Sequence, residues 1–200
     1  MAFKHTELFG GAITANIPAR FADVSTIRQV PDHQEVYLEA NGFTSLTIDL
    51  TERVPQFTTD KEALQYHFHD IITEGDTAQI ASLSENIQLP KFPPNTPTLS
   101  LTATTHPAPP APGATLRPHT ATHTDIHFTL IRLVEQGTDI IVTLNVPHIP
   151  GETEDENNNT GDKEGVVAKR KIEREKHMTE AWEGIVKSLE VRDWSLFGAE

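Results

Sequence analysis

Hydrophobic and polar positions alternate in several short runs, and each run predicts a strand. Leu46, Ile48 and Leu50 alternate with Thr47, Asp49 and Thr51, so residues 45–50 read as a strand with one buried face. Residues 34–38 form the strand before it, and Asn41-Gly42 between the two is a tight-hairpin signal. Residues 124–134 and 138–146 predict a second hairpin turning at Gln136-Gly137. Ile140, Val142, Leu144 and Val146 fall on one face of its second strand. In the first strand, Ile126, Phe128 and Leu130 take one face, while Ile131 and Leu133 take the other. Apolar residues on both sides mark central strands covered above and below. Residues 98–105 and 79–89 predict two more strands.

The period then changes. Thr59 and Glu62 form a capping-box pattern, in which each side chain bonds the other's free backbone N–H. Leu64, Phe68, Ile71 and Ile72 follow at helical spacing, and Gly75 is the expected stop. Near the end of the chain, Trp182, Ile185, Val186 and Leu189 fall at i, i+3, i+4 and i+7. They predict a helix whose first half, 169–176, alternates charge and faces solvent. Strands, a helix, strands and a helix give an α+β fold: an antiparallel sheet of about six strands flanked by helices.

The early stretch 7–37 is less regular. Residues 8–17 read as β-type, with Gly10 and Gly11 suggesting a bulge or a close backbone approach. A turn-rich connection then carries Pro18, Asp23, Arg28, Pro31 and Asp32. The two prolines hold the residues before them extended, and Asp23 is the expected N-cap of one short helical turn.

Composition adjusts this picture locally. The chain has 200 residues, expected as one domain spanning 1–200, with 36% hydrophobic content. A Pro-rich loop at about 90–118 and an acidic, Asn-rich loop at about 151–165, expected to be mobile, dilute an otherwise ordinary core. Pro107, Pro109, Pro110 and Pro112 read as extended surface chain. Sixteen Lys and Arg against 29 Asp and Glu leave a formal charge of −13. Such a surface repels nucleic acid and anionic membranes, favours a basic partner, and also serves solubility. With no cysteine, disulfides, thiol catalysis and thiolate metal sites are excluded. No signal peptide or membrane span is expected. Asn158-Asn159-Thr160 carries no weight as a glycosylation site in a chain that is not secreted.

Catalytic motifs are missing. Gly10-Gly11 lacks the phosphate-loop pattern and precedes a strand, and no Gly-x-Ser-x-Gly elbow occurs. His67 and His69, two apart on a helix, point to different faces. His123 and His127 fit one face of a strand with His119 nearby, but a zinc site needs three or four converging ligands, so no metal and no cofactor is expected. Asp49 and Glu52 close the third strand, and a turn starting at Leu50 would bring the two carboxylates together. Such a pair suits a docking patch or an acid/base couple, or is simply a solvated strand end. Nothing in the sequence supplies a nucleophile beside it.

One stretch carries a resemblance. Leu8-Phe9-Gly10-Gly11-Ala12-Ile13 is followed by Pro18, Phe21-x-Asp23-x-Ser25 and Arg28. Val30-Pro31-Asp32-x-Gln34-Glu35-Val36-Tyr37 completes it. The string resembles the Ran guanine nucleotide release factors, the Mog-type proteins that bind the small GTPase Ran. Tyr66-His67-Phe68-x-Asp70, the hairpin at 130–147 and Ser195-Leu196-Phe197-Gly198 are similar to that family as well. The Pro-rich tract and the acidic loop have no clear counterpart in it.

The resemblance implies the sandwich shared with PsbP-like proteins and a structural, hydrogen-bonded role for His67. It also implies a Ran-binding surface at Asp49 and Glu52, with Asp23, Asp32, Gln34 and Glu35 as further candidates. The expected protein is a non-enzymatic monomer of the nucleus and cytoplasm. It would promote guanine nucleotide release from Ran and support nuclear import. The alternative is an adaptor of the same fold for another basic or membrane-associated protein.

Overall fold

The computed structural model describes residues 1–25, 27–110, 119–150 and 163–198, with 163–171 described as backbone. Of the acidic loop expected at about 151–165, residues 151–162 lie outside the described residues and 163–165 are already helical. The end of the Pro-rich tract at 111–118 and the side chains of Lys169, Arg170 and Lys171 also lie outside the described residues.

The strands are β1 (Phe3–Leu8), β2 (Ile13–Pro18), β3 (Phe21–Asp23), β4 (Gln34–Glu39) and β5 (Ser45–Glu52). After helix α1 (Asp60–Asp70) come β6 (Thr77–Ser84), β7 (Thr98–His106), β8 (His123–Leu133) and β9 (Thr138–His148). Helix α2 (Lys163–Ser188) and the short β10 (Glu190–Val191) close the chain. Seven strands make one antiparallel sheet in the order β3-β4-β5-β9-β8-β7-β6, one more than the sequence predicted. A second sheet has the order β1-β2-β10.

The alternation of the central strands builds a core on each face. Ile48 of β5 and Ile140, Val142 and Leu144 of β9 meet Leu8, Ile13 and Ile17 of the small sheet and Ile185, Val186 and Leu189 of α2. On the other face, Phe128, Leu130 and Ile141 pack against Leu64 and Phe68 of α1. Phe68 and Phe128 meet edge to face at 5.7 Å. Each large apolar side chain buried this way contributes about 1.5–3 kcal/mol before chain entropy is subtracted. The predicted capping box of α1 is present, with Thr59 and Glu62 each accepting from the other's backbone.

Four local expectations are corrected. Residues 8–17 are not one strand: Phe9, Gly10 and Gly11 have φ of 50°, 66° and 94° and turn the chain from β1 into β2. The connection at Asn41-Gly42 spans residues 40–44 and closes with the Glu39 N–H on the Thr44 carbonyl, so it is not a two-residue turn. Helix α1 ends at Asp70, because Ile71 already turns back onto His69, and Gly75 belongs to the following loop. The strand predicted at 79–89 is β6, which stops at Ser84; Leu89 and Phe92 instead bury themselves in the first core. The beginning of the Pro-rich tract is therefore anchored loop, and its middle is β7, as the alternation predicted.

A buried polar cluster fastens α1 to the sheet. Arg132 donates to Asp139 Oδ1 at 3.1 Å, to Asp60 Oδ1 at 2.7 Å and to the Val54 carbonyl at 3.1 Å. Asp139 Oδ2 lies 3.0 Å from His67 Nε2. His67 thus has the structural, hydrogen-bonded role expected of it, while His69 is exposed and bonds the Gln65 carbonyl.

Candidate functional site

The six residues singled out in the sequence gather at one end of β4 and β5 but divide between the two faces of the sheet. Gln34 and Asp49 are direct partners in the β4–β5 ladder, and Gln34 Nε2 donates to Asp49 Oδ1 at 2.5 Å. Cross-strand partners share a face, and this one is the face on which α1 packs. Helix α1 sits over β7 and β8, leaving Leu38 42% exposed and Gln34, Thr47 and Asp49 half-buried beside it. Burial pushes the Asp49 carboxyl above its ordinary range, against the opposing pull of the Gln34 bond and of nearby His33.

The pairing of Asp49 with Glu52 is not formed. The expected turn at Leu50 is absent: β5 continues through Thr51↔Asp139 and Glu52↔Thr138, held by β9. Side chains three apart on a strand point to opposite faces and are separated by roughly 10 Å along it. Asp49 therefore faces the α1 side, and exposed Glu52 faces the α2 side at the strand's last position. This rules out shared acid/base chemistry between them. It also makes any common partner reach around the strand end. There the Arg53 N–H bonds the Gly137 carbonyl and ties β5 to the β8–β9 turn.

Glu35 and Asp23 belong to the α2 face. Asp23 pairs with Tyr37 and Glu35 with Ile48. Glu35 Oε1 accepts the Phe9 N–H at 2.5 Å, which clips the β1–β2 turn to β4. Burial raises the Glu35 carboxyl above its usual range; the Phe9 bond opposes the rise and Asp23 adds to it. Burial, with Glu35 and Asp23 close by, likewise pushes the Tyr37 phenol well up. Asp23 accepts from both the backbone N–H and the hydroxyl of Ser25, each at 2.7 Å. It thus caps the single helical turn expected, in which the Ile27 and Arg28 N–H groups both bond the Val24 carbonyl, and it ends β3. Asp32 is exposed in the turn before β4, where the Gln34 N–H bonds the Pro31 carbonyl.

Two of these carboxylates thus already hold local structure, while Asp49, Glu52 and Asp32 present charge around one end of the sheet. Among the described residues, no helix is long and apolar enough to cross a membrane. What the sequence missed is the buried Arg132–Asp139–His67 cluster. Its only signal was an arginine inside an otherwise apolar strand run, opposite an aspartate across the hairpin.

Comparison with known proteins covers most of this framework. The family described as Ran-interacting Mog1 protein matches residues 6–147. The chain is 34% identical over 157 residues to the nuclear import protein MOG1 of Saccharomyces cerevisiae, covering 72% of this chain and 66% of that one. It is 31% identical over 150 residues to the Ran guanine nucleotide release factor of Bos taurus, covering 72% of this chain and 76% of that one. Its structure is similar to the crystal structure of the Saccharomyces cerevisiae Ran-binding protein Mog1p. The TM-score is 0.69 at 27% identity, over 99% of this chain and 100% of the other.

Proposed function

The chain belongs to the family of Ran-interacting Mog1 proteins, and from that premise we propose that it binds Ran, promotes release of Ran's guanine nucleotide and supports nuclear protein import. The observation that carries this reading is the family match over 6–147, a span that contains all six candidate residues. Names of relatives point the same way: one is called a nuclear import protein and another a Ran guanine nucleotide release factor.

In this reading the protein is a monomeric docking protein of nucleus and cytoplasm and performs no bond chemistry of its own. Asp49 and Gln34 form the floor of the contact on the open face of β4 and β5. Glu52 and Asp32 supply charge at its rim. Asp23 and Glu35 act indirectly, by holding the β3 turn and the β1–β2 turn in position. The formal charge of −13 supports attraction to a basic partner surface.

Release follows from linkage. A protein that prefers nucleotide-free Ran lowers Ran's nucleotide affinity by the same factor. Carboxylates that engage cationic side chains of the partner also compete with the anionic nucleotide for them.

The test is loss of a fluorescent guanine nucleotide from purified Ran. Native protein is expected to speed the loss and Asp49→Ala/Glu52→Ala to slow it again. Equal rates for the two proteins would remove these residues from the interface. A Ran that ignores the native protein at low salt, together with capture of other basic proteins, would favour the adaptor reading.

A further inference from the structure

At the end of β9 away from Glu52, three imidazoles line up across three neighbouring strands. His123 of β8 is the direct partner of His148 of β9, and their rings stack with centroids 4.0 Å apart and planes 11° from parallel. His106, the last residue of β7, has its ring centroid 5.8 Å from that of His123. Asp125, two residues on from His123 and so on the same face, has Oδ2 2.7 Å from His148 Nε2. Ligand atoms of His123, Asp125 and His148 all lie within 4.8 Å of one another.

We propose that His123, Asp125 and His148 form a binding site for a divalent late transition-metal ion of the zinc and copper kind. Imidazole nitrogen with one carboxylate oxygen is the donor set such ions take. A tetrahedral zinc site with bonds of about 2.0–2.2 Å sets its ligand atoms about 3.4 Å apart, so small side-chain rotations close the cluster.

The surroundings already orient the ligands. Thr122 Oγ1 donates its one hydrogen to the His148 carbonyl at 3.2 Å. The same oxygen lies 3.0 Å from His123 Nδ1 and is placed to take that nitrogen's proton. In that tautomer neutral His123 carries its lone pair on Nε2. Thr104 Oγ1 donates to Asp125 Oδ1 at 2.7 Å and leaves Oδ2 for the cluster. Burial pushes the Asp125 carboxyl up, but the bonds from Thr104 and His148 and the nearby imidazoles outweigh it and hold Asp125 below its usual range, ionised. Outer partners of this kind orient and sharpen metal ligands. The 2.7 Å contact between Oδ2 and His148 Nε2 marks where the cation would sit.

The site borders a cleft of about 340 Å³ between the sheet and α2, lined also by His127, Arg174 and Glu175. Arg174 donates to the Pro147 carbonyl at 2.9 Å. His127, which the sequence had grouped with His123, stacks on Trp182, and His119 stacks on Phe43. The partner the sequence missed is His148, which only the strand register brings to His123.

Isothermal titration of the full chain with Zn²⁺ is expected to show one saturable equivalent. His123→Ala/His148→Ala should weaken it more than about 100-fold, since loss of even an outer partner costs about 10–100-fold. Asp125→Asn should weaken it as well, and His69→Ala/His177→Ala should not. Circular dichroism reports whether the variants fold. Histidine-selective NMR of the unaltered chain gives an independent reading: Zn²⁺ should move the His123 and His148 ring signals and spare those of His67. No saturable equivalent, an equivalent retained by the folded double variant, or shifts confined to other histidines would each overturn the proposal.

Discussion

Arg132 of β8 and Asp139 of β9 face each other across the hairpin, Nε to Oδ1 at 3.1 Å, with side chains 1% and 0% exposed. A charge buried so completely is tolerable only while its carboxylate and carbonyl partners are present. Asp139→Ala leaves Arg132 only Asp60 and the Val54 carbonyl, takes the carboxylate from His67, and should cost about 3–5 kcal/mol. Arg132→Met combined with Asp139→Leu removes both charges and should recover much of that loss. Urea unfolding midpoints of the single and double variants measure both effects.

The bond from the Phe9 N–H to Glu35 predicts a different pattern. Glu35→Ala leaves a half-buried N–H without its acceptor and should cost about 1–3 kcal/mol. Glu35→Gln keeps an acceptor and sheds the charge. The Glu35 carboxyl is raised in the folded chain, so the folded state holds its proton more tightly than the unfolded one. Stability from this group is therefore present at low pH and falls as pH rises through the raised value. Glu35→Gln should flatten that fall. Thermal melts from just below to well above the ordinary carboxylate range test it.

Asp49→Asn separates stability from function in the same way. Its amide oxygen still accepts from Gln34, and the cost of ionising a half-buried acid disappears. The variant should melt no lower than wild type at neutral pH, with the difference closing as pH falls through the raised Asp49 value. Nucleotide release from Ran should nevertheless slow. A drop in melting temperature with normal release would reverse the roles assigned to this side chain.

Because Asp49 and Glu52 point to opposite faces of β5, their effects on Ran association should add. A double-mutant cycle with Asp49→Asn and Glu52→Gln is expected to leave an interaction energy within about 0.5 kcal/mol of zero. Coupling well above that would mean that a partner bridges the two side chains.

Thr59→Ala breaks the capping box of α1 and should cost about 1 kcal/mol. For a chain of this size that is a fall of about 2–4 °C in melting temperature.

That cap was legible in the sequence because its two residues are three apart and depend on nothing distant. The apolar stripe of α2 and the two-sided β8–β9 hairpin were legible for the same reason: one period, unbroken, with turn residues at its ends. The hairpin of β1 and β2 was not. Its apolar pattern runs on through Gly10-Gly11, and nothing in a phenylalanine signals the positive φ that Phe9 adopts. The end of β5 was misread because Thr51 and Glu52 look like the start of a loop. Their pairing with Asp139 and Thr138 of β9 keeps them in the ladder. The facing of His123 and His148 escaped for a related reason, since it needs the register of two strands and not the spacing along one. In the candidate surface, residue types and neighbourhood could be read, but the division between two faces turned on where a single strand ended.

Strand β10 adds its Glu190 and Val191 to Thr14 and Ile13 of β2, and nearby the Asn16 N–H reaches Ser188 Oγ across 172 positions. The β1–β2 hairpin thus closes its outer ladder only with β10, far downstream in the sequence. Loss of a few residues around 190 would be felt near residue 14, distant in sequence but adjacent in space.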